Sequence, residues 1–304
     1  MVTDLSRLST SEADEYNSAI DEFLEQINQG IPAEDLIGTD IPEKYLRTTL
    51  QHAQIIGGYY IDKHMNSGFA RKHAQHGMNA EFVVSFAFVS FIKCLRTIHA
   101  LLAEGISYDA NYLVRALYEN YLKIRYVYYA PSYADKIIDK FTEDVKTAED
   151  SKENERGKKF HKNHFSWETM ARELGEVDLY DKLYRPLCSI AHGQLFQAQY
   201  FISDFGFDYL EQDFEMSTLL TTHELIMRTF YCMLKHSKCQ KYLMRDLSTA
   251  IRQSFASVHV GWMWVTKSSD HAMPKLTRQY MESLAAEDSQ LKRVLEVQIP
   301  DIDM

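Results

Sequence analysis

The spacing of apolar residues along the chain predicts a protein built from long helices. Apolar side chains recur every three to four positions over most of the sequence, as expected when one face of a helix is buried. Glycine and proline, which end helices readily, are scarce and stand between these stretches. We therefore predict an all-α fold, with helices over 11–29, 43–68, 79–104, 108–130, 131–159, 166–174, 185–192, 213–237, 240–267 and 274–296.

A loop separates the first predicted helix from the rest of the chain. Residues 30–42 contain two glycines and two prolines, which favour turns over helix. We expect an N-terminal helical arm over residues 1–75 and a helical bundle domain over residues 76–304. The bundle core is expected to combine residues 79–195 with a hairpin over 213–267.

The most apolar run of the chain is short. Residues 82–92 provide about half of the roughly 20 residues that a membrane-spanning helix needs, and Lys93 and Arg96 follow closely. We interpret this run as a buried core helix and expect no membrane association.

The first residues lack the apolar segment of a secretory signal, and the four cysteines show no CxxC spacing. These features predict a cytoplasmic protein.

Charge and missing motifs narrow the functional classes. The chain has 43 acidic and 33 basic residues, a net charge of −10, so any RNA site must be a local patch. It contains no Walker A motif, no GxGxxG, no HExxH and no Glu-x-x-His. These absences argue against nucleotide hydrolysis, dinucleotide binding, zinc proteolysis and carboxylate-bridged di-iron chemistry. We expect neither a cofactor nor a metal.

Arg185 and His192 are the strongest candidates for chemistry. An arginine that holds a phosphate beside a histidine that moves a proton is the minimum equipment for metal-free RNA cleavage. Pro186 suits the first turn of a helix and disfavours the αR conformation in the preceding residue, so we expect Arg185 at a helix entrance that favours anions. Five arginine–histidine pairs with four to six intervening residues occur in the chain, so packed or surface histidines are the plain alternative.

A second polar group lies on the helix predicted over 108–130. Glu119 and Lys123 are four positions apart, Arg115 lies one turn before them, and Arg125 follows two places after Lys123. This arrangement predicts a charged rim that orients a phosphate. The alternative is a surface ion pair worth a few tenths of a kcal/mol.

Two further features are compatible with RNA binding. A run of basic residues is the best candidate for contacts with the phosphate backbone, and a solvated helix end is its alternative. It comprises Lys152, Arg156, Lys158, Lys159 and Lys162. The tyrosines between Tyr112 and Tyr133 are candidates for base stacking, although such residues more often form a core or an interface. We expect a homodimer that associates through an aromatic helix face.

Two segments resemble a known family. The run 111–120 and the run 183–193 are similar to a bacterial all-helical family classified only as domain of unknown function 5677, over residues 80–195. The family's Arg-x-x-x-Glu and Ser-x-x-His signatures correspond to Arg115, Glu119, Ser189 and His192.

More distantly, the Glu-x3-Lys and Arg-x4-6-His pair is similar to the motifs of the HEPN superfamily. Its active members are dimeric, metal-independent ribonucleases of toxin–antitoxin and phage-defence systems. The resemblance implies that His192 acts as general acid or base, that Arg185 stabilises the pentacovalent phosphate, and that Glu119 and Lys123 support them. The chain departs from the superfamily at Pro186, where asparagine, histidine or aspartate usually follows the arginine.

The sequence thus supports three hypotheses. The first is a HEPN-like endoribonuclease effector of a bacterial defence or toxin system, in which two protomers pool Arg185 and His192. The second is a non-catalytic helical module that binds a protein or a small ligand and regulates another component. The third is a small-molecule sensor with its pocket inside the bundle.

Overall fold

Helices account for nearly all the residues that the computed structural model describes, which confirms the predicted all-α class. The described residues are 41–65, 79–139, 166–191, 202–203, 206–207, 215–236, 241–266 and 274–296. The helices are α1 (Ile41–Tyr60), α2 (Asn79–Ala103), α3 (Ser107–Tyr129), α4 (residues 132–139), α5 (Trp167–Glu173), α6 (Val177–Leu179), α7 (Arg185–Ala191), α8 (Glu215–His236), α9 (Lys241–Thr266), α10 (Lys275–Glu287) and α11 (Ser289–Glu296). π-Helical turns follow α1 (Ile61–Met65) and α6 (Tyr180–Tyr184). Two antiparallel two-residue strands, β1 (Ile202–Ser203) and β2 (Gly206–Phe207), pair Ile202 with Phe207.

The bounds of most helices agree with the predictions to within two residues, but the last predicted helix is two helices. Asp288 separates α10 from α11 in an extended conformation (φ −137°, ψ 113°). Its carbonyl accepts from the Lys292 amide, which starts α11, and its carboxylate lies 2.9 Å from Arg252 of α9. The predicted helix over 11–29 and residues 140–159 lie outside the described residues.

A tight turn produces the predicted antiparallel hairpin of α2 and α3. Gly105 adopts a positive φ of 75°, a conformation that side chains disfavour. The Ile106 amide donates to the Leu101 carbonyl at 2.9 Å, which closes the end of α2 in the manner of a Schellman motif. The chain therefore reverses within a few residues, and α3 packs along α2.

The hairpin shares one core with α1, α8 and α9. The Tyr60 ring of α1 lies 5.2 Å from the Phe88 ring of α2, and the Arg47 guanidinium near the start of α1 donates to the Leu102 carbonyl near the end of α2. These two contacts make α1 and α2 antiparallel. The core thus extends into the segment that the sequence predicts to be an arm.

Helix α2 is long and apolar. By length and composition alone it could cross a membrane, and it is the single such helix among the described residues. One side of it is buried against the rest of the bundle. The buried residues of α2 are Val83, Val84, Ala87, Phe88, Phe91, Ile92, Leu95, Ile98 and Leu102.

Two adjacent glycines of α1 have opposite surroundings. A Cβ atom at Gly57 would clash with the buried Ile92 side chain and would lie 3.5 Å from Phe230, whereas one at Gly58 would meet nothing within 4 Å. The crossing of α1 over α2 therefore requires the missing side chain at position 57 but not at position 58.

We expect Gly57→Ala to lower the free energy of unfolding by about 1–3 kcal/mol, because overpacking forces the Ile92 side chain to shift. Gly58→Ala is the matched control and should raise it by about 0.5–1 kcal/mol, since alanine favours helix. Urea denaturation of both variants measures the difference. Equal effects of the two substitutions would contradict the close approach at Gly57.

Candidate functional site

The structure brings together two predicted segments that are distant in sequence. The Tyr184 hydroxyl, at the end of the π turn before α7, donates to the Glu119 carboxylate of α3 at 2.8 Å. Arg115, one turn before Glu119, donates to the same carboxylate oxygen at 3.2 Å, and its guanidinium lies 5.6 Å from the Tyr184 ring centre. Glu119 therefore joins the predicted Glu-x3-Lys helix to the helix that carries Arg185.

Helix α5 extends this contact on the same side. Ser166 caps α5 by accepting from the Thr169 amide at 3.1 Å, which sets the start of the helix at Trp167. The Lys123 ammonium lies 5.8 Å from the Trp167 ring centre, and the neighbouring Glu168 carboxylate lies 3.8 Å from Arg185. We call this group the α3/α7 cluster, which consists of Arg115, Glu119, Lys123, Trp167, Glu168, Tyr184 and Arg185.

The backbone at Arg185 differs from the prediction. Arg185 is αR (φ −60°, ψ −45°), and helical structure is continuous from Val177 to Ala191, so the expected helix entrance at Arg185 is wrong. The π turn gives the physical reason. The Arg185 amide donates to the Tyr180 carbonyl five residues back, and this wider turn accommodates Pro186, whose ring conflicts with regular helix geometry.

Arg185 lies on the surface beside two carboxylates. Its side chain is 58% exposed, and its guanidinium lies 3.1 Å from the Asp181 carboxylate in addition to the Glu168 contact. The Tyr180 ring centre lies 5.6 Å from the same guanidinium. An anion can therefore reach the arginine, but it must displace the two carboxylates or share the guanidinium with them.

Partial burial shifts the titration of the groups around Glu119. Burial lowers the pKa of Lys123, and the nearby Glu119 carboxylate partly offsets this decrease. Burial and the hydrogen bond to Glu119 raise the pKa of Tyr184, so its hydroxyl is a stable donor near neutral pH. Burial, and secondarily Glu119, also raises the pKa of the Cys94 thiol. The thiol therefore stays protonated.

Of the remaining predicted residues, only Ser189 and Arg125 can be located. The Ser189 hydroxyl donates to the Arg185 carbonyl at 3.4 Å within α7. Arg125 lies outside the α3/α7 cluster, in a second group of charges. His192 and the five residues predicted to bind RNA lie outside the described residues; these five are Lys152, Arg156, Lys158, Lys159 and Lys162.

The second group is a buried charge network that sequence reasoning missed. Arg125 pairs with the Glu176 carboxylate and donates to the Tyr121 hydroxyl at 2.8 Å. Tyr121 in turn donates to Glu176 at 2.6 Å. Gly175, with a φ of 72°, provides the turn that places Glu176 at the start of α6.

Arg228 of α8 completes the network. Its guanidinium lies 2.7 Å from Glu224, 3.8 Å from Glu176 and 3.9 Å from the Tyr280 ring centre. The second Glu224 oxygen accepts from Thr277 of α10 at 2.8 Å. Glu224 and Arg228 are one helical turn apart in the middle of α8, and this spacing is a sequence signal that could have revealed the network.

Two buried atoms near the network have no hydrogen-bond partner among the described residues. They are the second oxygen of Glu176 and the hydroxyl of Tyr118. Burial raises the pKa of Tyr118, while Arg228 and Arg125 oppose that effect. The network therefore joins α3, α6, α8 and α10, and two buried polar atoms beside it remain without a hydrogen bond among the described residues.

His223 is a buried histidine whose ring nitrogens form hydrogen bonds within the core. Its Nε2 lies 2.9 Å from the Leu46 carbonyl and 3.1 Å from the Thr49 hydroxyl, while its Nδ1 lies 3.2 Å from the Ser254 hydroxyl. A neutral ring with the proton on Nε2 satisfies all three contacts. Burial lowers the pKa of His223 to about 4, so the ring is neutral at physiological pH.

Metal ligands do not converge in the described part of the chain. There, no group of three or more histidine, cysteine, aspartate or glutamate side chains could hold a metal ion. Cys94, Cys188 and Cys232 are free thiols, and Cys239 lies outside the described residues.

Comparison with known proteins finds one similarity, which covers part of the chain. Residues 81–156, one quarter of the chain, match the model of a family described as "Family of unknown function (DUF5677)". The match confirms the predicted resemblance over this segment, which includes Arg115 and Glu119 but neither Ser189 nor His192. No curated protein and no solved structure matches the chain.

We expect Arg228→Met to lower the free energy of unfolding by about 3–5 kcal/mol, because it leaves the Glu224 carboxylate buried without its guanidinium and removes one of the two guanidinium groups near Glu176. Arg172→Met is the matched control. Arg172 forms the same kind of one-turn pair with Glu168, but it is 70% exposed, so its loss should cost less than about 1 kcal/mol. Similar losses in denaturant unfolding would contradict a buried network.

The stability of the protein should fall as pH drops from 7 to 5 in a manner that depends on His223. Its pKa is about 4 when folded and about 6.5 when unfolded, so the unfolded state binds more protons in this window. The expected contribution is a loss of about 2 kcal/mol between pH 7 and pH 5. His223→Gln should reduce the pH slope by that amount. An unchanged slope would contradict a neutral buried imidazole.

Proposed function

We propose that the α3/α7 cluster is the phosphate-binding part of a metal-independent site that cleaves RNA. The observation that carries the proposal is the bond between Glu119 and Tyr184. It joins the Glu-x3-Lys helix to the Arg185 helix across 65 residues of sequence and leaves Arg185 58% exposed. Glu119, Lys123 and Arg185 are residues named in the resemblance to HEPN ribonucleases, and the contact between the segments that carry them supports the proposal.

The proposed roles follow from charge and position. Arg185 binds the scissile phosphate, and His192 acts as general base or acid. The 2′-hydroxyl loses its proton and bonds to phosphorus, the bond from phosphorus to the 5′-oxygen breaks, and that oxygen takes up a proton. The products are a cyclic phosphate and a 5′-hydroxyl. A guanidinium stabilises the charge that develops on the phosphoryl oxygens.

Glu119 and Tyr184 act as positioning residues in this proposal. Glu119 accepts from both Arg115 and Tyr184, so it fixes the separation of α3 and α7. Trp167 and Glu168 connect Lys123 to Arg185 through consecutive residues of α5. Of the three cations in the cluster, Arg185 is exposed whereas Arg115 and Lys123 are half-buried, so an RNA backbone would contact Arg185 first.

A second candidate function is a non-catalytic module that binds a protein or small ligand. The observation that favours it is the pairing of Arg185 with Asp181 and Glu168. These two carboxylates neutralise the guanidinium and repel an approaching phosphate. In this alternative, Arg185 only holds the π turn against α5.

Incubation of the purified protein with mixed RNA in EDTA at pH 6–8 tests the proposal. We expect cleavage products that end in cyclic phosphate, and a loss of at least about 100-fold in rate for Arg185→Ala and for His192→Ala. Arg172→Ala is the matched control, since Arg172 also pairs with Glu168 on the surface of α5. Circular dichroism checks that each variant is folded. No cleavage, or cleavage that survives both substitutions, would refute the nuclease.

Asp181→Asn separates the two candidate functions through RNA binding. If Arg185 binds phosphate, removal of a competing carboxylate should strengthen RNA binding several-fold at low salt. If Arg185 is structural, RNA binding should not change. Fluorescence anisotropy with a labelled single-stranded RNA measures this difference independently of cleavage.

A further inference from the structure

One side of α2 is exposed over much of its length and begins with two large aromatic side chains. Phe82 is 47% exposed and Phe86 is 66% exposed. Val89 is half-buried, and Lys93 and Arg96 are exposed. Intervals of four, three, four and three residues place these five side chains on one stripe of the helix, which we call the α2 strip. An exposed patch that contains two aromatic rings is typical of a binding surface.

The α2 strip is arranged symmetrically about Val89. Phe82 lies seven residues before Val89, and Arg96 lies seven residues after it. Phe86 lies three residues before Val89, and Lys93 lies four residues after it. An antiparallel copy of α2 centred on Val89 therefore places a cation opposite each aromatic ring. Cations are attracted to the faces of aromatic rings, so the strip is complementary to a second copy of itself.

Glu81 adds a charge pair to the same arrangement. The helical period places Glu81, which is half-buried, and Arg96 on one edge of the strip. This is the edge that faces α1, where Ile92 meets Gly57. A twofold axis perpendicular to two antiparallel helices brings identical edges together. Glu81 of one copy therefore lies opposite Arg96 of the other, at the level where Phe82 meets the same guanidinium.

A parallel arrangement of the two helices lacks this complementarity. It places Lys93 opposite Lys93 and Arg96 opposite Arg96, so that like charges meet at two positions of the strip. The aromatic rings then face each other and the cations have no aromatic or acidic partner. The order of residues along the strip therefore favours the antiparallel pair.

We propose that two copies of this chain associate through antiparallel α2 helices, with a twofold axis at Val89. The strip covers 15 residues, about 21 Å of helix. One pair of helices in contact over this length forms a small interface compared with the roughly 800 Å² per partner of a standard complex, so the dimer should dissociate on dilution. The proposal assigns the expected homodimer to α2 and does not rest on the ribonuclease proposal.

Disulfide formation between copies of the full-length chain tests the twofold axis. Val89→Cys places a thiol at the axis, where two copies bring their Cβ atoms within the roughly 4 Å that a disulfide needs. Ala100→Cys is the matched control, because Ala100 is exposed on the same side of α2 but is about 33 Å from its counterpart in the antiparallel pair. We expect at least tenfold more disulfide-linked dimer from Val89→Cys under mild oxidation. The unsubstituted protein, with its four cysteines, measures the background.

Sedimentation equilibrium over a range of concentrations tests the strip without new thiols. Phe86→Lys places a lysine opposite Lys93 of the second copy and should weaken association at least tenfold. Tyr129→Lys adds the same charge at a residue that is 63% exposed on α3, and it should leave association within twofold. Circular dichroism checks that both variants are folded.

Several outcomes would overturn the proposal. A monomer at every concentration, or no linked dimer of Val89→Cys above the background, would show that no second copy covers the strip. Equal linking of Val89→Cys and Ala100→Cys would show that the helices are not antiparallel about Val89. Equal effects of Phe86→Lys and Tyr129→Lys would show that the copies associate through another surface.

Discussion

The need to pair charged and hydroxyl groups along α3 determines which elements surround it. One side of this helix carries Glu119, which Tyr184 satisfies from the segment before α7. Another side carries Tyr121 and Arg125, which Glu176 satisfies from the start of α6. A buried polar group without a partner costs more than a hydrogen bond gains. The polar contacts of α3 therefore fix the position of residues 166–191 against the apolar hairpin.

The same pairing connects the candidate site to the interior of the protein. The α3/α7 cluster lies partly exposed, where single ion pairs contribute little to stability. The buried charge network lies behind it, where loss of one partner is expensive. Both are anchored on α3 and on the segment that contains Glu176 and Tyr184. The surface arrangement of Arg185 therefore depends on an interior junction that it does not touch.

Hydrophobic periodicity, with glycine and proline as punctuation, was sufficient to predict the main helices. It could not predict the break at Asp288, because the contact with Arg252 that accompanies that break comes from α9. It also could not predict the pairing of Glu176 with Arg125, since these residues are 51 positions apart and neither has a recognisable motif. Polar contacts between residues that are far apart in the chain produce no periodic pattern from which they could be predicted. The candidate residues Arg115, Glu119 and Lys123 were found because helix spacing is local.

The π turn before α7 has a consequence for how this segment meets the core. Leu179 and Tyr184 are both buried although they are five residues apart. In a regular α-helix that interval would turn the second side chain away from the first, whereas bonding to the fifth preceding residue brings the two onto one side. The buried residues of this segment thus follow a five-residue interval, which a search for the α-helical period of 3.6 residues does not detect. A π turn of this kind can accommodate one inserted residue while the helix on either side remains intact.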